Sequence, residues 1–208
     1  MENTTIITIG RQFGSGGLQV ARTIGEMLAI PVYDKELLAK AAEKSGFSSE
    51  FFERRDEKRG FRFFQSLFGV GRSVAPSQGY GQNYINDDDL FKMQSSVIRD
   101  IAQNGPAIFV GRASNYVLRE MDCLDVFISA PLPVRIRRVA ERRGLTPAEA
   151  EDLIVKKEKA RRDFYDFFTF GSWGNSSEYD LCLDSSILGI EGTAGFIVDF
   201  GKKAGLIK

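Results

Sequence analysis

The sequence predicts an α/β fold, a parallel β-sheet covered on both faces by helices, and three observations carry that expectation. Short apolar, β-branched runs alternate along the chain with segments whose apolar residues recur at helical spacing. Two of the runs, "AIFVG" and "CLDVFISA", are continuously apolar, as strands buried on both faces must be. A glycine cluster, "GSGG", separates the first apolar run from the first helical pattern, where a parallel strand would turn into its crossover helix.

In chain order, Thr5–Ile9 is expected as the first strand and Gly17–Leu28 as a helix with Val20, Ile24, Met27 and Leu28 on one face. Ile30–Asp34 reads as a short second strand and Lys35–Lys44 as a helix. From Ser45 to Asp89 the periodicity breaks down among aromatic, charged and glycine residues, the pattern of a ligand-covering insertion or a surface loop. Leu90–Gln103 is expected as a helix with Leu90, Val97, Ile98 and Ile101 inward, ended by Asn104-Gly105-Pro106. Strands are then expected at Ala107–Gly111, Cys123–Ala130 and Leu181–Ser186. Helices are expected at Ser114–Glu120, Leu132–Arg143, Pro147–Thr169 and Glu191–Lys203. In such a sheet, ligands sit beyond the carboxyl ends of the strands, where Gly14–Gly17, Asp34, Gly111–Arg112, Pro131 and Asp184 all fall.

Composition narrows the chemistry. The chain has no histidine and only two cysteines, Cys123 and Cys182, far apart in sequence, which argues against a zinc site, a Ser-His-Asp triad or a Cys-His dyad. Lys+Arg and Asp+Glu both number 28, so the balanced charge predicts no nucleic-acid partner and makes any anion site a local one. No apolar stretch is long enough for a membrane span and the amino terminus does not resemble a signal peptide; the expectation is a soluble, cytoplasmic protein whose cysteines are small buried hydrophobes. With 208 residues, one domain is expected.

The loop fits two motifs imperfectly. For a dinucleotide-binding G-x-G-x-x-G, Gly14 and Gly16 fit, Gln19 stands at the last position, and Asp34 lies where a ribose-binding acid would. For a P-loop G-x-x-x-x-G-K-[ST] ending at Gly16, Arg11 replaces the first glycine, Gly17 the lysine and Leu18 the hydroxyl residue. The arginines favour phosphate chemistry. Arg112 follows a strand, and Arg135, Arg138 and Arg142 share a helical face. Lys156, Lys157, Lys159, Arg161 and Arg162 follow, and positive charge beside a phosphate-cradling loop is what phosphoryl transfer requires.

The motifs "GRQFGSGG", "IPVYDKELL", "GPAIFVGRASNYVL", "APLPVRIRRVAERR" and "KARRDFYDFFTFGSWGNSSEYDLCLDSSILGIE" together resemble the cytidylate kinase-like family of nucleoside-monophosphate kinases, in a variant with a lysine-free loop. The resemblance implies a three-layer P-loop kinase-like fold with a core of 1–44, 90–140 and 178–208, an acceptor-binding insertion at 45–89 and a helical lid at 141–177. It implies transfer of the ATP γ-phosphoryl, with Mg2+, to a CMP-like monophosphate. Arg11, Gly14, Ser15, Gly16, Gly17, Leu18 and Gln19 would surround the donor phosphates, Arg138, Arg142 and Asp184 the donor nucleotide, and Asp34 and Arg112 the acceptor. Arg112, Arg161 and Arg162 would be the catalytic cations. The chain departs from cytidylate kinases in Gly17 and Leu18, and in Ala113 where an aspartate follows the "GR" pair. A catalytically silent nucleotide-binding module and a dinucleotide oxidoreductase are the competing readings. Gly16→Val is expected to abolish nucleotide binding and Gly17→Lys to be tolerated.

Overall fold

A computed structural model describes residues 4–34 and 87–208. The helix expected at 35–44 and nearly all of the insertion lie outside the described residues. Five strands, β1 (Ile6–Arg11), β2 (Val32–Tyr33), β3 (Ala107–Val110), β4 (Leu124–Ser129) and β5 (Leu181–Asp184), form one sheet of order β2-β3-β1-β4-β5. Every pairing is parallel, with Ile7 opposite both Ile108 and Leu124. The described helices are α1 (Gly17–Leu28), α2 (Asp87–Asn104), α3 (Ser114–Val117), α4 (Leu132–Arg143), α5 (Pro147–Thr169) and α6 (Ser185–Lys203). None is long and apolar enough to cross a membrane.

The alternation of side chains along each strand divides the core in two. On one face Ile7, Ile9, Ile108, Val126 and Ile128 bury against Val20, Ala21 and Ile24 of α1 and Ala194 and Ile197 of α6. On the other, Ile6 and Phe109 pack with Met93, Val97 and Ile98 of α2 and Val117 and Leu118 beside α3. A third cluster joins α4 to α5 through Val139, Ala150 and Ile154, with Phe13 against it. Helix α5 is started by a capping box in which the Thr146 hydroxyl and the Glu149 side chain each bond the other's backbone amide, with Pro147 in the first turn.

Boundaries moved where pairing or capping overrode periodicity. β1 runs two residues past the expected Ile9 because Gly10 and Arg11 pair with Phe127 and Ile128. α2 starts at Asp87, ahead of Leu90, and α3 stops at Val117, before Glu120. Ser185 and Ser186 belong to α6 and not to the last strand, because the Asp184 carboxylate accepts from the Ser186 amide at 2.8 Å and caps the helix there. That helix therefore begins before the expected Glu191, bent at Gly189 (φ 68). Met27, expected inward, is 51% exposed and takes no part in the core cluster that Val20, Ala21 and Ile24 of α1 join. Cys182, expected buried, is exposed on β5, the sheet edge; Cys123 is partly covered, and burial pushes its thiol up to about 12.

Beneath the sheet's second face, Thr8 donates a 2.5 Å hydrogen bond to Asp125 on β4. Burial raises the Asp125 carboxyl to about 6; the Thr8 bond opposes the shift and Asp180 adds to it. A carboxyl raised in the folded state favours folding below its ordinary pKa, and that contribution is lost as pH rises through the folded value. Stability is therefore expected to fall by up to about 2 kcal/mol between pH 4 and 6. Asp125→Asn, which keeps an acceptor for Thr8, removes this slope; urea midpoints at pH 4, 5 and 6 check it.

Candidate phosphate-binding site

The loop between β1 and α1 is built by two glycines in the left-handed region, Gly14 (φ 83) and Gly16 (φ 84). Its fixings are backbone and side-chain hydrogen bonds. Ser15 Oγ donates to the Gln12 carbonyl at 3.0 Å, and Gln12 Oε1 accepts from the Ala130 amide at 3.1 Å. The Ser15 carbonyl accepts from Arg138 at 3.0 Å and from the Ser185 hydroxyl. The first-turn amides of α1, at Gly17, Leu18 and Gln19, find no acceptor among the described residues, leaving a positive helix terminus at the loop.

Gly17 is where the lysine of a P-loop would stand. A Cβ there would meet Arg11 Cβ at 2.6 Å and Arg11 Cγ at 3.1 Å. The stem of Arg11 fills the space, so the expectation that Gly17→Lys is tolerated is corrected. That variant is expected to lose about 1–3 kcal/mol by overpacking and to lower the thermal midpoint. A Cβ on Gly16 would strike Ile190, and its positive φ adds strain, so Gly16→Val distorts the loop whether or not an anion binds there.

Arg11 reaches across the carboxyl end of the sheet. Its guanidinium lies against Gly111, where any Cβ would collide with Nη1. Gly111, Arg112 and Ala113 then hold three successive left-handed conformations (φ 75, 66 and 52), turning the Arg112 side chain back toward the crevice. From α5, Arg161 donates to the Arg11 carbonyl at 2.9 Å. These three arginines line one cleft of about 380 Å³ with Phe13, Asn115, Arg143, Lys157, Trp173 and Tyr179. Burial, then Arg161 and Arg112, push the Arg11 pKa down; burial lowers both Arg112 and Arg161 to about 10. Among the described residues no carboxylate lies within ion-pair distance of any of the three. Arg112 and Arg161 remain charged at neutral pH, in a site whose electrostatics an anion would relieve.

The sequence matches the description of the cytidylate kinase-like family over residues 6–187. The chain belongs to the cytidylate kinase-like family. Among its relatives are a cytidylate kinase of Methanopyrus kandleri, 28% identical over 88% of this chain and 86% of the relative, and one of Pyrobaculum calidifontis, 24% identical over 94% and 91%. A crystal structure of an uncharacterized protein from Eubacterium ventriosum is 25% identical, covers 94% of this chain and 96% of its own, and superposes with a TM-score of 0.69. Shikimate kinase from Bacteroides thetaiotaomicron shares the fold at a TM-score of 0.52 and 13% identity, over 96% of this chain and 99% of its own.

In this member of the cytidylate kinase-like family the residues singled out from sequence separate into two groups. Arg11, Arg112 and Arg161 converge on the cleft, whereas Gly14–Gln19 lie outside its wall. Arg138 spends its donors on Ser15 and Ser185. Arg142 and Arg162 stand exposed, away from the cleft. Asp34 pairs with Arg22 at 3.6 Å, and Asp184 caps α6. Arg135, grouped with Arg138 and Arg142 by its spacing, is buried in an ion pair with Glu158 at 2.7 Å.

The cleft residues that spacing missed are Phe13, Asn115 and Arg143. Arg143 is one position, about 100° of helix, beyond Arg142, a distinction that a loose pattern of arginines does not make. Polar side chains line the cleft: the Asn115 amide donates to the Tyr165 hydroxyl at 2.9 Å, and Tyr179 stands beside them. Gly10 permits it, because a Cβ there would meet the Tyr179 hydroxyl at 2.8 Å.

Proposed function

We propose that the protein is a nucleotide-dependent phosphotransferase that moves the γ-phosphoryl of ATP to a CMP-like nucleoside monophosphate. The convergence of Arg11, Arg112 and Arg161 on one cleft at the carboxyl ends of β1 and β3, with no carboxylate within ion-pair distance among the described residues and only the longer-range fields of Asp34 on Arg11 and Glu158 on Arg161, carries this reading. Such transfer needs no covalent chemistry from the protein; it needs reactants held in line and positive charge around the moving group. Arg112 grips the acceptor phosphate, Arg161 neutralises the transferred group, and Arg11 supplies the charge that a loop lysine would bring. The free amides of Gly17, Leu18 and Gln19 hold donor oxygens. The CMP-like acceptor is supported by the names of the relatives at 24–28% identity.

Among the described residues no group of three or more Asp, Glu, Cys or His side chains is placed to hold a metal ion, and the Ser15 hydroxyl is engaged with Gln12. Magnesium in phosphoryl transfer is held mainly by nucleotide phosphates and water with one or two carboxylates, so it would arrive with the nucleotide and needs no such cluster.

The test is ADP release from ATP across a panel of nucleoside monophosphates. CMP or dCMP is expected to raise turnover well above the ATP-only rate; no stimulation by any monophosphate overturns the assignment. Arg11's occupation of the lysine position and Leu18's lack of a hydroxyl favour a second reading, nucleotide binding without transfer. Calorimetric binding of ATP or CMP with no turnover selects it.

A further inference from the structure

We infer that Phe13 is a positioning residue, a platform that holds Arg143 and Arg161 at the cleft by the face of its ring. The Cζ of Arg161 lies 5.3 Å from the Phe13 ring centroid and that of Arg143 5.7 Å. Arg112 is held in the same manner, 5.8 Å from the Phe164 centroid. Three cleft cations thus rest on aromatic rings. The ion pairs seen among the described residues, Arg22–Asp34, Arg119–Glu120, Arg135–Glu158 and Lys159–Asp163, include none of the three.

The choice of partner has a chemical consequence. A carboxylate would fix a guanidinium but also neutralise it and occupy its N–H donors, in direct competition with phosphate. An aromatic face attracts the cation through its quadrupole, has no net charge, and leaves the donors in the guanidinium plane open. Rings therefore order the arginines while leaving their charge available to an anion.

Phe13 is itself held rigidly enough for this. Its amide donates to Glu158 Oε1 at 3.2 Å, and its carbonyl accepts from Arg135 Nη1 at 3.4 Å. Those two side chains are paired with each other at 2.7 Å. The buried pair grips the Phe13 backbone from both sides, and the ring packs against the cluster of Val139, Ala150 and Ile154. Gly14 follows, its Cα close against Arg135 and Val139. The loop, α4 and α5 thereby meet at one residue whose side chain carries a cation from each helix. The benefit to phosphate binding rests on the functional reading above; the placement of the arginines does not.

Phe13→Leu keeps an apolar side chain of similar size without the ring, and Phe13→Tyr keeps the ring. Phenylglyoxal modification of Arg161, the partly buried member of the pair, mapped by peptide mass spectrometry on ligand-free protein, is expected to quicken severalfold in Phe13→Leu, with Arg142, exposed and away from the ring, unchanged as the reference. Phe13→Tyr is expected to match the unsubstituted protein. Affinity for inorganic tripolyphosphate should fall about fivefold in Phe13→Leu and be retained in Phe13→Tyr. In the unsubstituted protein, ring currents should shift the side-chain protons of Arg143 and Arg161 upfield of those of Arg142, a readout that needs no variant. Unchanged modification rates in a folded Phe13→Leu, or unshifted arginine protons, overturn the inference. Failure of the unsubstituted protein to bind tripolyphosphate instead sinks the phosphate reading, while the modification rates and proton shifts still decide the role of Phe13.

Discussion

Replacing Arg112 by glycine is expected to stabilise the protein by about 1 kcal/mol while lowering phosphoryl transfer by about 10²–10³-fold. Two features of the position give the stability its sign. Arg112 has φ 66, a conformation that costs a side-chain-bearing residue about 1 kcal/mol and glycine almost nothing. Its guanidinium is also largely desolvated, which is why its pKa has dropped to about 10, and among the described residues a ring 5.8 Å away is its compensating contact. Removing the side chain relieves both penalties. On the proposed function, the activity loss follows from deleting the cation assigned to the acceptor phosphate, one of three arginines that line the cleft. A residue kept where it destabilises the fold is the pattern of function opposing stability. Thermal midpoints and kcat/KM on the same preparation check the pair. A less stable Arg112→Gly would show the arginine to be a structural anchor.

Truncating Glu158 to alanine is expected to cost about 3–5 kcal/mol, the price of leaving Arg135 buried without a counter-charge. The two side chains are 17% and 8% exposed, so little water reaches either group. The carboxylate also accepts from the Phe13 amide, which would lose its acceptor. The double variant Arg135→Met, Glu158→Leu removes both charges and is expected to recover most of the loss, because apolar replacement of a buried pair is often neutral. Urea unfolding of the singles and the double measures the coupling. A single-variant cost below 1 kcal/mol would mean the pair is solvated.

What was legible in the sequence was whatever is local. The central strands were expected close to their observed places because a parallel strand buried on both faces must be largely apolar, as "AIFV" in β3 is. Arg112 stood out because it sits just beyond a strand's carboxyl end, and Arg11 because it stands where the loop motif has its first glycine. The β5–α6 boundary was not legible, because Asp184 decides it through a cap that interrupts no pattern. Nor was the division of labour among the arginines: 135, 138, 142 and 143 belong to one short helix, yet one is buried in an ion pair, one bonds the loop, and two are exposed, of which only Arg143 borders the cleft.

The sequence by itself determined the parallel α/β sheet, the glycine loop at its first switch from strand to helix, and the absence of the lysine and hydroxyl residue that a P-loop carries after its last glycine. Only the tertiary structure decided which arginines meet, and why Gly17 must stay glycine: the stem of Arg11 occupies the space a side chain would need. The reason is physical. Periodicity records how a segment faces its nearest layer. The cleft, by contrast, is made where β1, the turn after β3, and α5 converge, and the rings and backbone carbonyls that orient its cations come from elements remote in the chain.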